Sequence, residues 1–122
     1  MQFLTTFVPP SDAEMFERDF FFSLEHDPNE AVVSFARTYA DDRSLKLTFD
    51  IGVVSSVSAL VIESGRIVSS LTIEGVTNFA FQSWHGESII RFAFSAASVQ
   101  QDLRVHYFPR PSMHFTALAK DV

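Results

Sequence analysis

From Leu45 to Leu118 the chain reads as strand-like runs of apolar residues alternating with polar ones, interrupted at Gly and Pro positions. Leu45, Leu47, Phe49, Ile51 and Val53 alternate with Lys46, Thr48, Asp50 and Gly52, the period-two pattern of a strand buried on one face. From Val57 to Leu118 the pattern continues as an antiparallel meander. Ser64-Gly65 can form a two-residue turn that sets Glu63 beside Arg66. Gly75 to Thr77 is expected to turn the next hairpin, pairing Ile73 with Phe79 and Leu71 with Phe81. His85-Gly86 can close another, with Phe81 opposite Ile90 and Phe79 opposite Phe92. After a polar loop near residues 95–102, Leu103, Val105 and Tyr107 are expected beside Phe94, Phe92 and Ile90. The loop Pro109-Arg110-Pro111 then returns the chain so that Tyr107 faces Met113 and Val105 faces Phe115. These pairings gather Phe79, Phe81, Phe92, Phe94, Tyr107 and Phe115 on one face. A slip of one residue would scatter them over both faces, so their consistency supports the register.

The first third reads differently. Met1 to Val8 alternates loosely as an edge strand, ended by Pro9-Pro10. Ser11 and Glu14 have capping-box spacing, and Ala13, Phe16, Phe20 and Leu24 recur at helical intervals, which predicts a helix over 12–19. Phe20-Phe21-Phe22 fits a buried strand as well as a helix end. Asp27-Pro28-Asn29-Glu30 is a helix-start pattern, and the stripe Val32, Phe35, Ala36, Tyr39 predicts a second helix over 28–40. The expected fold is α+β: a meander of about six to seven strands with two N-terminal helices packed on its aromatic face. The alternative is a small β-barrel with helices. Residues 1–122 are expected to form a single domain.

Fourteen phenylalanines give this core an unusually large aromatic content. With no cysteine, a disulfide scaffold, thiolate-bound zinc and a thiol nucleophile are excluded. Met1 to Pro10 does not read as a secretion leader and no apolar run reaches membrane-spanning length, so a soluble, cytoplasmic protein with no membrane partner is expected. The formal net charge is −6, and it lies in the first third: residues 1–44 carry nine acids against Arg18, Arg37 and Arg43, whereas residues 45–122 carry six of each sign. That asymmetry argues against nonspecific nucleic-acid binding and suits a basic partner.

On the outward face of the meander, the expected rows are Ala80, Arg91, His106, His114; Asn78, Ala93, Arg104, Thr116; and Gln82, Ile89, Phe108, Ser112, with Trp84, Glu87 and Arg110 near one end. Trp84, Arg91, Arg104, His106, Phe108 and His114 would then form one cationic, aromatic surface suited to carboxylates, phosphates or an acidic protein surface. An ordinary solvated sheet face accounts for the same residues. Glu14, Glu17 and Glu30 form the second candidate, either as wet helix faces or as a surface matched to a basic partner. His106 and His114 lack a third ligand in these rows, so no metal is expected. Phosphate loops, dinucleotide fingerprints and the Gly-x-Ser-x-Gly elbow are absent from the sequence, and no catalytic residue or cofactor is assigned.

Small size, acidity, lack of cysteine, the expected N-terminal helices and long antiparallel meander, and the segment Leu71-Thr72-Ile73-Glu74-Gly75-Val76-Thr77-Asn78-Phe79-Ala80-Phe81 together resemble the small cytoplasmic immunity proteins of bacterial toxin–immunity systems. The resemblance implies a non-enzymatic protein that neutralises a toxin or effector by stoichiometric binding. Two other functions compete with it: a small-molecule or anion-binding β-rich module, and a self-associating structural subunit. The sequence leaves the oligomeric state open.

Overall fold

The computed structural model describes residues 7–52, 54–95 and 99–119. Among the described residues, nine strands form two antiparallel sheets. The first sheet has five strands in sequential order: β1 (Phe21–Phe22), β2 (Val32–Thr38), β3 (Arg43–Asp50), β4 (Ser56–Glu63) and β5 (Arg66–Glu74). The second has four: β6 (Val76–Trp84), β7 (Glu87–Ser95), β8 (Val99–Phe108) and β9 (Ser112–Ala119). One short helix, α1 (Asp12–Phe16), precedes them.

The expected α+β architecture is therefore corrected to a mostly β fold of two sheets, and the sheets do not close into the alternative barrel. The second expected helix, 28–40, is a single 3-10 turn, Pro28–Glu30, followed by β2. Asp27-Pro28 does start a turn, but Ala31 at φ 60° ends it at once. The stripe from Val32 to Tyr39 concealed a second pattern, Val33, Phe35, Arg37, at strand spacing. Two β-branched valines and a full ladder with β3, from Val32 opposite Asp50 to Thr38 opposite Ser44, decide for the strand. The first expected helix survives in shortened form. Glu14 N donates to Ser11 Oγ (3.1 Å) and Ser11 N to Glu14 Oε1 (2.9 Å), the reciprocal capping box. The helix stops at Phe16, and Phe21–Phe22 pairs with Phe35 and Ala36 as an edge strand.

The expected hairpin at Gly75 is also corrected. Gly75, at φ 85°, carries the chain from the last strand of one sheet to the first strand of the other, and β5 and β6 lie in different sheets. One seven-stranded sheet would expose an apolar face that a single five-residue helix cannot cover. Changing sheets at Gly75 lets each apolar face cover the other. Phe35, Leu45, Leu47, Phe49, Val57 and Ala59 from the first sheet and Ile90, Phe92, Leu103 and Val105 from the second are fully buried. The rings of Phe49 and Phe92 meet across the sheets at 5.7 Å. Met15 and Phe20, on either side of the end of α1, are buried in the same core, and Phe20 reaches Tyr107 on β8 at 5.7 Å. Phe7 lies between Phe49 (6.2 Å) and Phe79 (6.3 Å).

The turns at Ser64-Gly65 and His85-Gly86 follow expectation, whereas the Pro109-Arg110-Pro111 turn sets Val105, not Tyr107, opposite Met113, and Leu103, not Val105, opposite Phe115. Glu63 pairs with Arg66, Phe81 with Ile90 and Phe79 with Phe92. The expected register of β8 is offset by two residues: Ile90 faces Val105, Phe92 faces Leu103, and Val105 faces Met113. Strand β8 begins at Val99, inside the expected polar loop, and the ladder shifts between Ser88 and Ile89. From Ile89 to Ser95 the even offset keeps the partners on their faces, so the core is unaffected while the outer rows change, and only Phe108, paired with Ser88 beyond the shift, leaves the outer alternation. The expected edge strand Met1–Val8 lies mostly outside the described residues, as does Val53; Phe7 and Val8 are irregular. No helix among the described residues is long and apolar enough to cross a membrane.

Candidate functional site

The outer face of the four-stranded sheet carries the residues predicted from the meander, in rows altered by the two-residue offset, with the exception of Phe108, which pairs with Ser88 beyond the ladder shift and leaves the outer rows. Across β6 to β9 these are Ala80, Arg91, Arg104, His114; then Asn78, Ala93, Asp102, Thr116; then Gln82, Ile89, His106, Ser112. Arg91 and Arg104, expected in different rows, are direct neighbours. Asp102, expected in a loop, belongs to the face and joins them: its carboxylate accepts from Arg91 Nε at 2.7 Å and from Arg104 Nε at 3.1 Å. Cross-strand arginines repel, and the carboxylate between them offsets that repulsion while leaving the terminal guanidinium nitrogens free of bonds within the chain among the described residues.

His106 and His114 remain close, with ring centroids 4.8 Å apart, on diagonal positions of β8 and β9. His106 Nδ1 lies 2.9 Å from Glu87 Oε1. No group of three His, Asp or Glu side chains placed to hold a metal occurs among the described residues. Trp84 is 76% exposed at the end of β6 and packs against His85 at 4.8 Å. Phe108, 48% exposed at the end of β8, lies 5.9 Å from the Arg37 guanidinium. Three shallow depressions mark this face: about 290 Å³ around Arg91, Asp102 and Arg104, about 270 Å³ beside Trp84 and His106, and about 200 Å³ between Asn78 and Arg91. Their shared residues make the arginine pair the centre of the surface.

The acidic candidates lie elsewhere. Glu14 and Glu17 belong to α1 and its C-cap, and Glu30 to the 3-10 turn. Glu14 is engaged in the capping box, and Glu17 approaches Arg18 at 3.7 Å. Arg18 lies over the Phe81 ring, 3.7 Å from its centre, and its Nη1 donates to the Glu14 carbonyl at 2.8 Å. Around α1 and β1 the surface is also aromatic: Phe16, Phe21, Phe22 and Leu24 are exposed large apolar residues. The helical spacing of Ala13, Phe16, Phe20 and Leu24 disguises this second surface in the sequence, because only Phe20 of the three large residues turns out to be buried.

No protein-family model matches the chain, and no curated protein matches it. A solved structure does: a chain of the "Contact-dependent growth inhibition toxin - immunity protein complex from Klebsiella pneumoniae 342" superposes with a TM-score of 0.77 over 89% of this chain and 95% of that one, at 10% identity. Agreement over nearly the whole of both chains is a likeness of fold, and the protein thus resembles in architecture a component of a toxin–immunity complex.

Proposed function

We propose that this protein is an immunity protein: a non-enzymatic, cytoplasmic bacterial inhibitor that neutralises a toxin or effector by stoichiometric binding. The observation that carries the reading is the fold shared along 95% of a chain from a toxin–immunity complex. The surface chemistry is compatible with it. On the outer face of the four-stranded sheet, charged groups are held by one another, Arg91 and Arg104 by Asp102 and His106 by Glu87, in an arrangement suited to recognition. Pre-positioned side chains lose little freedom when a partner docks, which favours tight binding from a preformed surface. Inhibition follows from covering the partner's working surface and requires no cofactor.

Two surfaces are available to the partner: the outer face with Trp84, Arg91, Arg104, His106 and His114, with Phe108 at the end of β8 next to it, and the acidic N-terminal segment with Glu14, Glu17 and Glu30. Opposite charge on the partner would accelerate encounter and set orientation.

The test is co-expression with the polypeptide encoded immediately upstream at the native locus. Rescue of growth and a one-to-one complex on size exclusion are expected. Toxicity unrelieved by this protein, with no complex between the purified components, would overturn the reading.

A further inference from the structure

The N-terminal surface contains an aromatic stack assembled from three elements. Phe16 ends α1, Phe22 lies on β1, and His26 follows in the loop before the 3-10 turn. Phe16 meets Phe22 edge-on at 5.1 Å, and Phe22 stacks on His26 at 4.0 Å. All three rest on Phe35, which is fully buried in β2, at 6.5, 5.7 and 5.7 Å. His26 is fixed further because its Nδ1 accepts from Ser34 N at 3.1 Å. The rings are therefore supported from below and open above, with Phe16 43% and Phe22 48% exposed, and Leu24, between Phe22 and His26 in the chain, 100% exposed. A rigid, half-exposed aromatic cluster of this kind suits an interface core.

Charge selects the occupant. Between residues 7 and 30 the chain carries seven carboxylates and one arginine, a net −6 equal to the formal charge of the whole protein. Only two of those carboxylates pair with cations from outside the segment among the described residues, Asp19 with Arg37 (3.1 Å) and Glu25 with Lys46 (2.7 Å). A nucleic acid or an anionic membrane would be repelled. A second copy would set the same carboxylates against themselves in a two-fold contact. We infer that the Phe16–Phe22–His26 stack with Leu24 is the anchor for a basic polypeptide surface, whose apolar side chains cover the rings while its lysines and arginines meet the surrounding carboxylates. This rests on the inhibitor reading and specifies the partner's chemistry.

The test uses the full chain and two short synthetic peptides, one alternating lysine with leucine and the other glutamate with leucine, titrated by NMR. The lysine peptide is expected to shift the resonances of Phe16, Phe22 and Leu24, and to lose about tenfold in affinity on Leu24→Ser or Phe22→Ser. Leu24 makes no buried packing, so Leu24→Ser decides the matter if Phe22→Ser unfolds. Shifts confined to the Trp84, Arg91 and Arg104 face, equal binding of the glutamate peptide, unchanged affinity in Leu24→Ser, or concentration-dependent shifts without peptide would overturn the anchor. The two proposals fail separately. Growth protection retained in full by Leu24→Ser and Phe22→Ser removes the anchor and leaves the inhibitor, whereas absence of protection by the unsubstituted protein removes the inhibitor.

Discussion

Arg91 and Arg104 stand opposite each other on β7 and β8, two like charges in one row, and the Asp102 carboxylate is bonded to both. The arrangement is stable because the acid lies in the adjacent row of β8, two residues before Arg104, with its side chain mostly covered and the guanidinium groups about half exposed. Asp102→Asn removes the compensating charge and leaves the cross-strand repulsion. The expected loss is about 1 kcal/mol at low salt, shrinking as salt screens the pair. Urea unfolding at two ionic strengths measures it, and Arg104→Gln in the same background should restore most of the loss.

Tyr39, just beyond β2, ties the sheets together at one end: its hydroxyl donates to the Tyr107 carbonyl at 2.6 Å. Burial pushes this hydroxyl up to about 12, and the neighbouring Arg37 guanidinium offsets only part of that. An unfolded tyrosine ionises near 10, so between about pH 10 and 12 the unfolded chain releases this proton first. The stabilisation is thus complete below pH 10 and lost as pH rises through 12. Tyr39→Phe should cost about 1 kcal/mol near neutral pH and show a shallower alkaline decline in melting temperature than the unsubstituted protein.

These relationships mark where the sequence was legible. Strict alternation in Leu45–Phe49 and the glycine turns at Gly65 and Gly86 correctly indicated strands and their partners, because period two and positive φ are local properties. Val32–Tyr39 misled because Phe35 and Tyr39 satisfy a helical stripe while Val33 and Phe35 satisfy a strand. Only pairing with β3 separates the two, and pairing is not local. Gly75 was recognised as a break, but a break does not reveal whether the chain returns to the same sheet. Apart from Phe108, which the ladder shift at Ser88 removes, the outer face was legible as a set of residues and illegible as rows, since a two-residue offset preserves facing direction. Asp102 was missed on that account, and the stack on Phe35 because the helical spacing of Phe16, Phe20 and Leu24 disguises an exposed aromatic surface.

The rings of Phe49 and Phe92 join the two sheets at the centre of the core, 5.7 Å apart and both fully buried. Removing either ring leaves a cavity lined by the other. Phe49→Ala and Phe92→Ala are each expected to cost about 3–5 kcal/mol. Because the two cavities merge, the double substitution should cost less than the sum, with a coupling on the order of 1 kcal/mol. Denaturant unfolding of the four proteins gives this directly, and strict additivity would show that the sheets do not meet through this pair.

Charge and structure must be separated before the acidic surface can be tested, because Glu14 serves both. Its carboxylate accepts from Ser11 N within the capping box, so charge reversal there would weaken α1 and displace Met15 from the core. Glutamine keeps the accepting oxygen and removes only the charge. Glu14→Gln, Glu17→Gln and Glu30→Gln together should therefore leave the melting temperature nearly unchanged. If the acidic surface guides a basic partner, association of the triple variant should slow by on the order of tenfold at low salt and converge with the unsubstituted protein at high salt. Stopped-flow binding would show both effects. If the rate is unchanged in the triple variant and altered in Arg91→Gln/Arg104→Gln, the partner is guided by the outer face of the four-stranded sheet, and the N-terminal carboxylates serve the fold alone.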